Sequence, residues 1–168
     1  MSILEPTVFV RHISRIRPEL LRALCVRALI LDVDNTLTTH NNPEPDADVL
    51  VWLEKMRYAG FGLAIASNNS RRRVEPFAVA LGLDFACNSC KPLPKGFFEI
   101  SRKLELPPES IAVVGDQIFT DILGGNLFGA KTILVEPMLA EDGSFFRFKR
   151  RLEKHVLVRM SKKGSELT

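Results

Sequence analysis

Two carboxylates two residues apart, Asp32 and Asp34, stand directly after the apolar run Ala28-Leu29-Ile30-Leu31. Side chains alternate along a strand with period two, so a strand through this run presents both acids on one face. Carboxylates that close repel each other, and each loses hydration. A metal ion, a phosphoryl group or both would offset those costs, which makes metal-assisted phosphoryl chemistry the sharp reading. A solvated acidic turn is the plain alternative that D-x-D alone leaves open.

Three further groups of polar residues follow apolar runs. Ser67-Asn68 comes after Ala64-Ile65-Ala66, Lys91 opens Lys91-Pro92-Leu93-Pro94, and Gly115-Asp116 follows Ile111-Ala112-Val113-Val114, with Asp121 five residues on. Lys95 is the rival to Lys91, but it opens a helical stretch and is expected to face solvent. Asp121 has two readings, orienting a metal-bound water or capping the helix that follows.

The elements that must position these groups alternate strand and helix. Strands are expected over 28–33, 61–66, 84–86, 111–114 and 131–135, and helices over 46–58, from Ser70 or Asn69 to Leu81, 96–104 and 120–128. Helix 46–58 should bury Val49, Leu50, Leu53 and Met56 on one face. Gly60 and Gly82 stop two of the helices. Fully apolar strands alternating with helices predict an α/β protein: a three-layer, Rossmann-like parallel sheet with helices on both faces. In such sheets ligands sit outside the carboxyl ends of the strands, where every candidate group lies.

At 168 residues, 46% hydrophobic and 26% charged, the chain has the size and composition of one globular domain. The expected division is an N-terminal basic segment over 1–27, a catalytic core over 28–140 and a basic C-terminal helix over 141–168. No apolar stretch approaches the roughly 20 residues of a membrane span. The first residues lack the order of a signal peptide, so a soluble, cytoplasmic protein is expected. Cys87 and Cys90 form a C-x-x-C, but zinc needs further soft ligands, and only Cys25 and scattered histidines remain. The pair is expected to be two small thiols near a strand end.

The net charge of +3 hides an asymmetry. The middle of the chain is acidic, whereas residues 143–168 hold 8 Lys+Arg against 2 Asp+Glu. Phe145, Phe146, Phe148, Leu152, Val156 and Leu157 interleave there with Arg147, Lys149, Arg150, Arg151, Lys154 and Arg159. As a helix, that segment could lay apolar groups into an anionic membrane surface, or it could pack on the sheet. Nucleic acid is less favoured as a partner, because one Trp and one Tyr offer little for base stacking.

Taken in order, Asp32-Val33-Asp34-Asn35-Thr36-Leu37, Ser67-Asn68, Lys91 and Gly115-Asp116-Gln117-Ile118-Phe119-Thr120-Asp121 resemble the four motifs of the haloacid dehalogenase superfamily, in its phosphatase branch. The spacings leave no room for an inserted cap domain, so the resemblance is to the capless subfamily IIIA. The stretch 115–126, the leader Ile16-Arg17-Pro18-Glu19-Leu20-Leu21 and the tail Arg147–Glu153 are similar to the YqeG-like group and the mitochondrial phosphatidylglycerophosphate phosphatases.

The resemblance implies Asp32 as nucleophile, Asp34 as general acid and base, and Mg²⁺ held by Asp32, the Asp34 carbonyl and Asp116. It implies Ser67, Asn68 and Lys91 as phosphate-binding groups, with Asp121 and Lys95 secondary. It further implies a lipid head-group substrate, phosphatidylglycerophosphate, handled at a membrane surface. Soluble sugar phosphates and polynucleotide 3′-phosphate ends are the alternatives.

Overall fold

The structure, a computed structural model, describes residues 2–39 and 42–138. The expected C-terminal helix over 141–168 lies outside them. Six strands form one parallel sheet: β1 (Val8–Val10), β2 (Ala28–Leu31), β3 (Gly62–Ala66), β4 (Asp84–Ala86), β5 (Ile111–Gly115) and β6 (Lys131–Val135). Their spatial order is β1-β6-β5-β2-β3-β4. Five helices connect them: α1 (Pro18–Ala23), α2 (Ala47–Tyr58), α3 (Arg71–Leu81), α4 (Lys95–Leu104) and α5 (Leu123–Phe128).

β2 is central and buried along its whole length. Its neighbours are in register, with Leu31 beside Ile65 of β3 and Val114 of β5. The strand tips carrying Asp32, Ser67 and Asp116 therefore end at the same edge of the sheet. Period-two alternation gives the sheet two cores. Leu29, Leu31, Ile65, Ala112 and Val114 face α2 and α3, while Ala28, Ile30, Ala64 and Val113 pack with Phe97 and Ile100 of α4 and Phe128 of α5. Each large side chain so buried contributes about 1.5–3 kcal/mol to folding.

The expected α/β sheet is present, with three corrections. The segment over 1–27 is not only a basic leader, because Val8-Phe9-Val10 is an edge strand paired with Ile133–Val135. Three residues are too few to show strand periodicity. In α2 the buried face is Val49, Trp52, Leu53 and Met56, whereas Leu50 is 41% exposed. Trp52 takes the inner position because its indole N–H donates to the Ile16 carbonyl at 2.9 Å, satisfying its polar edge inside. The expected helix over 120–128 is two pieces, a π-helical turn over Ile118–Ile122 followed by α5. Among the described residues no helix is long and apolar enough to cross a membrane.

Candidate active site

The turn after β2 starts the site. The Asp32 N–H donates to Val114 O at 2.9 Å, extending the ladder one residue beyond the strand. The chain then folds back on itself, with the Leu37 and Thr38 N–H groups donating to Val33 O at 2.9 and 3.2 Å. Asn35 takes a φ of +60° at the corner, a left-handed conformation that Asn tolerates better than most residues. Asp32 and Asp34 consequently stay partly accessible while Val33 and Leu37 are buried.

Lys91 lies at the centre. Its Nζ donates at 2.6 Å to Asp32 Oδ1 and at 2.6 Å to Asp121 Oδ1. The lysine and Asp121 are almost fully buried, and Asp32 keeps 12% of its side-chain surface. Burial pushes the Asp32 carboxyl up to about 6, against the opposing pull of Lys91. Burial alone would lower the Lys91 pKa, but Asp121 and Asp32 outweigh it and the net shift is upward. The ammonium is thus charged throughout the physiological range. Lys95 opens α4 and is exposed, so the structure brings Lys91 and not Lys95 to the carboxylates.

Asn68 fixes the lysine from behind. Its Oδ1 accepts from the Lys91 N–H at 2.6 Å and its Nδ2 donates to the Lys91 carbonyl at 3.1 Å. Ser67 is buried at the tip of β3, where its Oγ accepts from the Asn69 N–H at 3.2 Å. The Asn68 amide, expected among the phosphate-binding groups, is therefore occupied in holding the Lys91 backbone.

The π-helical turn places the last acid. The Asp121 N–H donates to Gln117 O at 2.9 Å, and Asp121 Oδ2 accepts from the Gln117 N–H at 3.1 Å. One Asp121 oxygen thus ties the turn while the other meets Lys91; Asp121 lies inside the turn, whose N-cap is Gln117, and not at the cap position of the helix. Gly115 makes room for it, since a Cβ there would lie 2.2 Å from Asp121 Cγ.

Asp32, Asp116 and Asp121 each offer a carboxylate oxygen, and these oxygens lie within 4.8 Å of one another. Hard oxygen donors at that spacing suit a hard divalent cation. Both expected side-chain donors, Asp32 and Asp116, are in this trio, and Asp121 joins them; the Asp34 contribution was expected from its backbone carbonyl. The Asp34 carboxylate accepts from Asn69 Nδ2 and, at 3.0 Å, from Arg73 Nη2. Asn69 and Arg73 are the two site residues that the motifs did not single out.

Residues 89–137 match the HAD-hydrolase-like family model. The chain is 40% identical over 159 residues to "Probable phosphatase YqeG" of Bacillus subtilis (strain 168), across 95% of this chain and 92% of that one. The chain belongs to the haloacid dehalogenase-like phosphatases, in the YqeG-like group. It is also 27% identical to "Phosphatidylglycerophosphate phosphatase 1, chloroplastic/mitochondrial" of Arabidopsis thaliana, covering 95% of this chain and 49% of that protein. A crystal structure of an uncharacterised Listeria monocytogenes protein superposes with a TM-score of 0.56 at 23% identity, over 71% of this chain and 84% of its own. That likeness concerns the fold. As a family member the chain is a phosphatase whose substrate carries a phosphoryl group.

Proposed function

We propose that the protein is a Mg²⁺-dependent phosphomonoesterase that works through an aspartyl-phosphate and that its substrate is phosphatidylglycerophosphate. The observation that carries the chemistry is Lys91 Nζ at 2.6 Å from both Asp32 and Asp121, with Asp116 beside them. Asp32, at the tip of the central strand, attacks phosphorus and the P–O bond to the leaving group breaks. Asp34, on the same face, gives its proton to the leaving alkoxide. It then takes a proton from the water that attacks phosphorus, releasing inorganic phosphate and restoring Asp32. Lys91 and the Ser67 hydroxyl offset charge on the phosphoryl oxygens, with the backbone N–H groups of the loop after β3. Asn68 acts by fixing Lys91. Bound at Asp32, Asp116 and Asp121, Mg²⁺ would supply positive charge that lets an anionic nucleophile meet an anionic ester.

The substrate reading rests on three supports: the match to the Arabidopsis lipid phosphatase, the capless fold and the basic, aromatic C-terminal sequence. An uncapped site encloses a small metabolite poorly and suits a substrate held by a surface. The enzyme then works in the cytoplasm against an anionic membrane. Turnover by wild type and Asp32→Asn on phosphatidylglycerophosphate vesicles, hexose phosphates and 3′-phosphorylated oligonucleotides tests it. Wild-type preference for the lipid is expected, with loss of several orders of magnitude in the variant. Preference for either other class would refute the lipid reading, and near-normal turnover by folded Asp32→Asn would refute the nucleophile.

A further inference from the structure

Around Arg73, which reaches Asp34, lies a groove of about 340 Å³ lined by Pro43, Arg72, Arg73, Pro76 and Phe77. α3 begins with three arginines in succession, Arg71, Arg72 and Arg73. Cations there oppose the positive end of the helix dipole, at a cost of about 0.3–1 kcal/mol each. Local partners offset this unequally. Arg71 pairs with Glu75 four residues on. Arg73 gives Nη2 to Asp34 Oδ1 and to the Asn42 carbonyl, both at 3.0 Å, and stacks over Phe77. Its Nη1 and Nε make no hydrogen bond to a described residue, and Arg72 has neither an acidic nor an aromatic partner among them.

The groove therefore combines an unpaired guanidinium, the unused donors of a second one, and apolar walls from two prolines and a phenylalanine. Arg73 also ties it directly to Asp34, the residue assigned above to protonate the leaving group. We infer that this groove is a specificity subsite for the leaving group, receiving a second phosphate joined to the scissile one through a short aliphatic spacer. The guanidiniums meet the second phosphate through charge-assisted hydrogen bonds. Pro43, Pro76 and Phe77 accept the aliphatic spacer. The inference rests on the phosphatase reading, and it accounts for leaving-group selectivity that Ser67 and Lys91, assigned to the transferred phosphoryl group, do not supply.

The test compares wild type, Arg72→Gln and Arg72→Lys on three esters at constant Mg²⁺. Two carry a second phosphate, soluble glycerol 1,3-bisphosphate and short-chain phosphatidylglycerophosphate in neutral-detergent micelles; the third, p-nitrophenyl phosphate, has none on its leaving group. The kcat/KM ratio of each doubly phosphorylated ester to p-nitrophenyl phosphate is expected to fall about tenfold in Arg72→Gln, equivalent to ~1.4 kcal/mol. The fall should lie in KM, shrink in high salt and be largely reversed in Arg72→Lys. A fall with both doubly phosphorylated esters assigns the subsite to the phosphate itself. A fall with the micellar lipid alone assigns it to the head group at its surface. Ratios within threefold of wild type for both esters would overturn the subsite and leave the phosphatase reading standing. No turnover of any ester by wild type would overturn both.

Discussion

Replacing Lys91 by Met keeps much of the side chain's length and removes its charge from between Asp32 and Asp121. Each carboxylate has Nζ at 2.6 Å, and neither is well hydrated. Removing one partner of a buried pair costs about 3–5 kcal/mol when the remaining charge cannot be relieved. Here it can be, in part. The Asp32 carboxyl sits at about 6 even with Lys91 present, against an ordinary value of 3.8. The metal-free folded protein therefore binds more protons than the unfolded chain between about pH 4 and 6. Its stability falls as pH rises through that window, by at most ~3 kcal/mol from this group, and then levels off. Without Lys91 the Asp32 carboxyl titrates higher still, so the decline in the variant continues to higher pH. The destabilisation by Lys91→Met should thus be larger near pH 7.5 than near pH 5, by up to ~2 kcal/mol, because protonation relieves only the Asp32 part of the loss. Urea unfolding in EDTA at both pH values measures it, and saturating Mg²⁺ should restore part of the loss at pH 7.5. Equal destabilisation at the two pH values would refute the electrostatic account in favour of packing. Wild-type stability at pH 7.5 would refute the role of Lys91 as counter-ion.

Two other perturbations address the same carboxylates. In Gly115→Ala the new methyl would meet Asp121 at 2.2 Å, so that side chain must leave its place. Turnover is expected to fall about 10²-fold, with a fold kept intact by circular dichroism; wild-type kcat would contradict the close approach. Because the Asp32 carboxyl titrates at about 6 without metal, Mg²⁺ binding below that pH must displace a proton. Calorimetry should show affinity rising up to tenfold per pH unit from 5 to 6 and flattening above 7, and a pH-independent affinity would exclude Asp32 as a ligand.

Much of the site was legible because strand ends are conspicuous in sequence. An apolar run that stops at Asp32, at Ser67 or at Asp116 announces both the element and the edge where it finishes. Lys91 was separable from Lys95 because a residue just before prolines lies outside the helix that follows. Contacts made across the fold were not legible. Asn69 and Arg73 reach Asp34 from another strand–helix connection, and no local spacing records that pairing. The run Arg71-Arg72-Arg73 did carry a signal, since three cations at the start of a helix run against its dipole. Trp52 displaced Leu50 from the inner face through a hydrogen bond to Ile16, 36 residues away in sequence. Val8–Val10 was too short to declare itself, and only its pairing with β6 makes it a strand.

The sheet's two outer strands, β1 and β4, are each three residues long, whereas the strands between them have four or five. An outer strand offers another chain its unpaired backbone groups, and the length of that row sets how well an intruding strand can be held. Among the described residues this protein has trimmed both rows to the minimum, and β4 starts with the exposed charge of Asp84. The fold is consequently a poor template for strand addition. Concentrated native protein should resist cross-β growth, and self-association of the described domain would have to proceed through helix or loop surfaces instead of by extending the sheet.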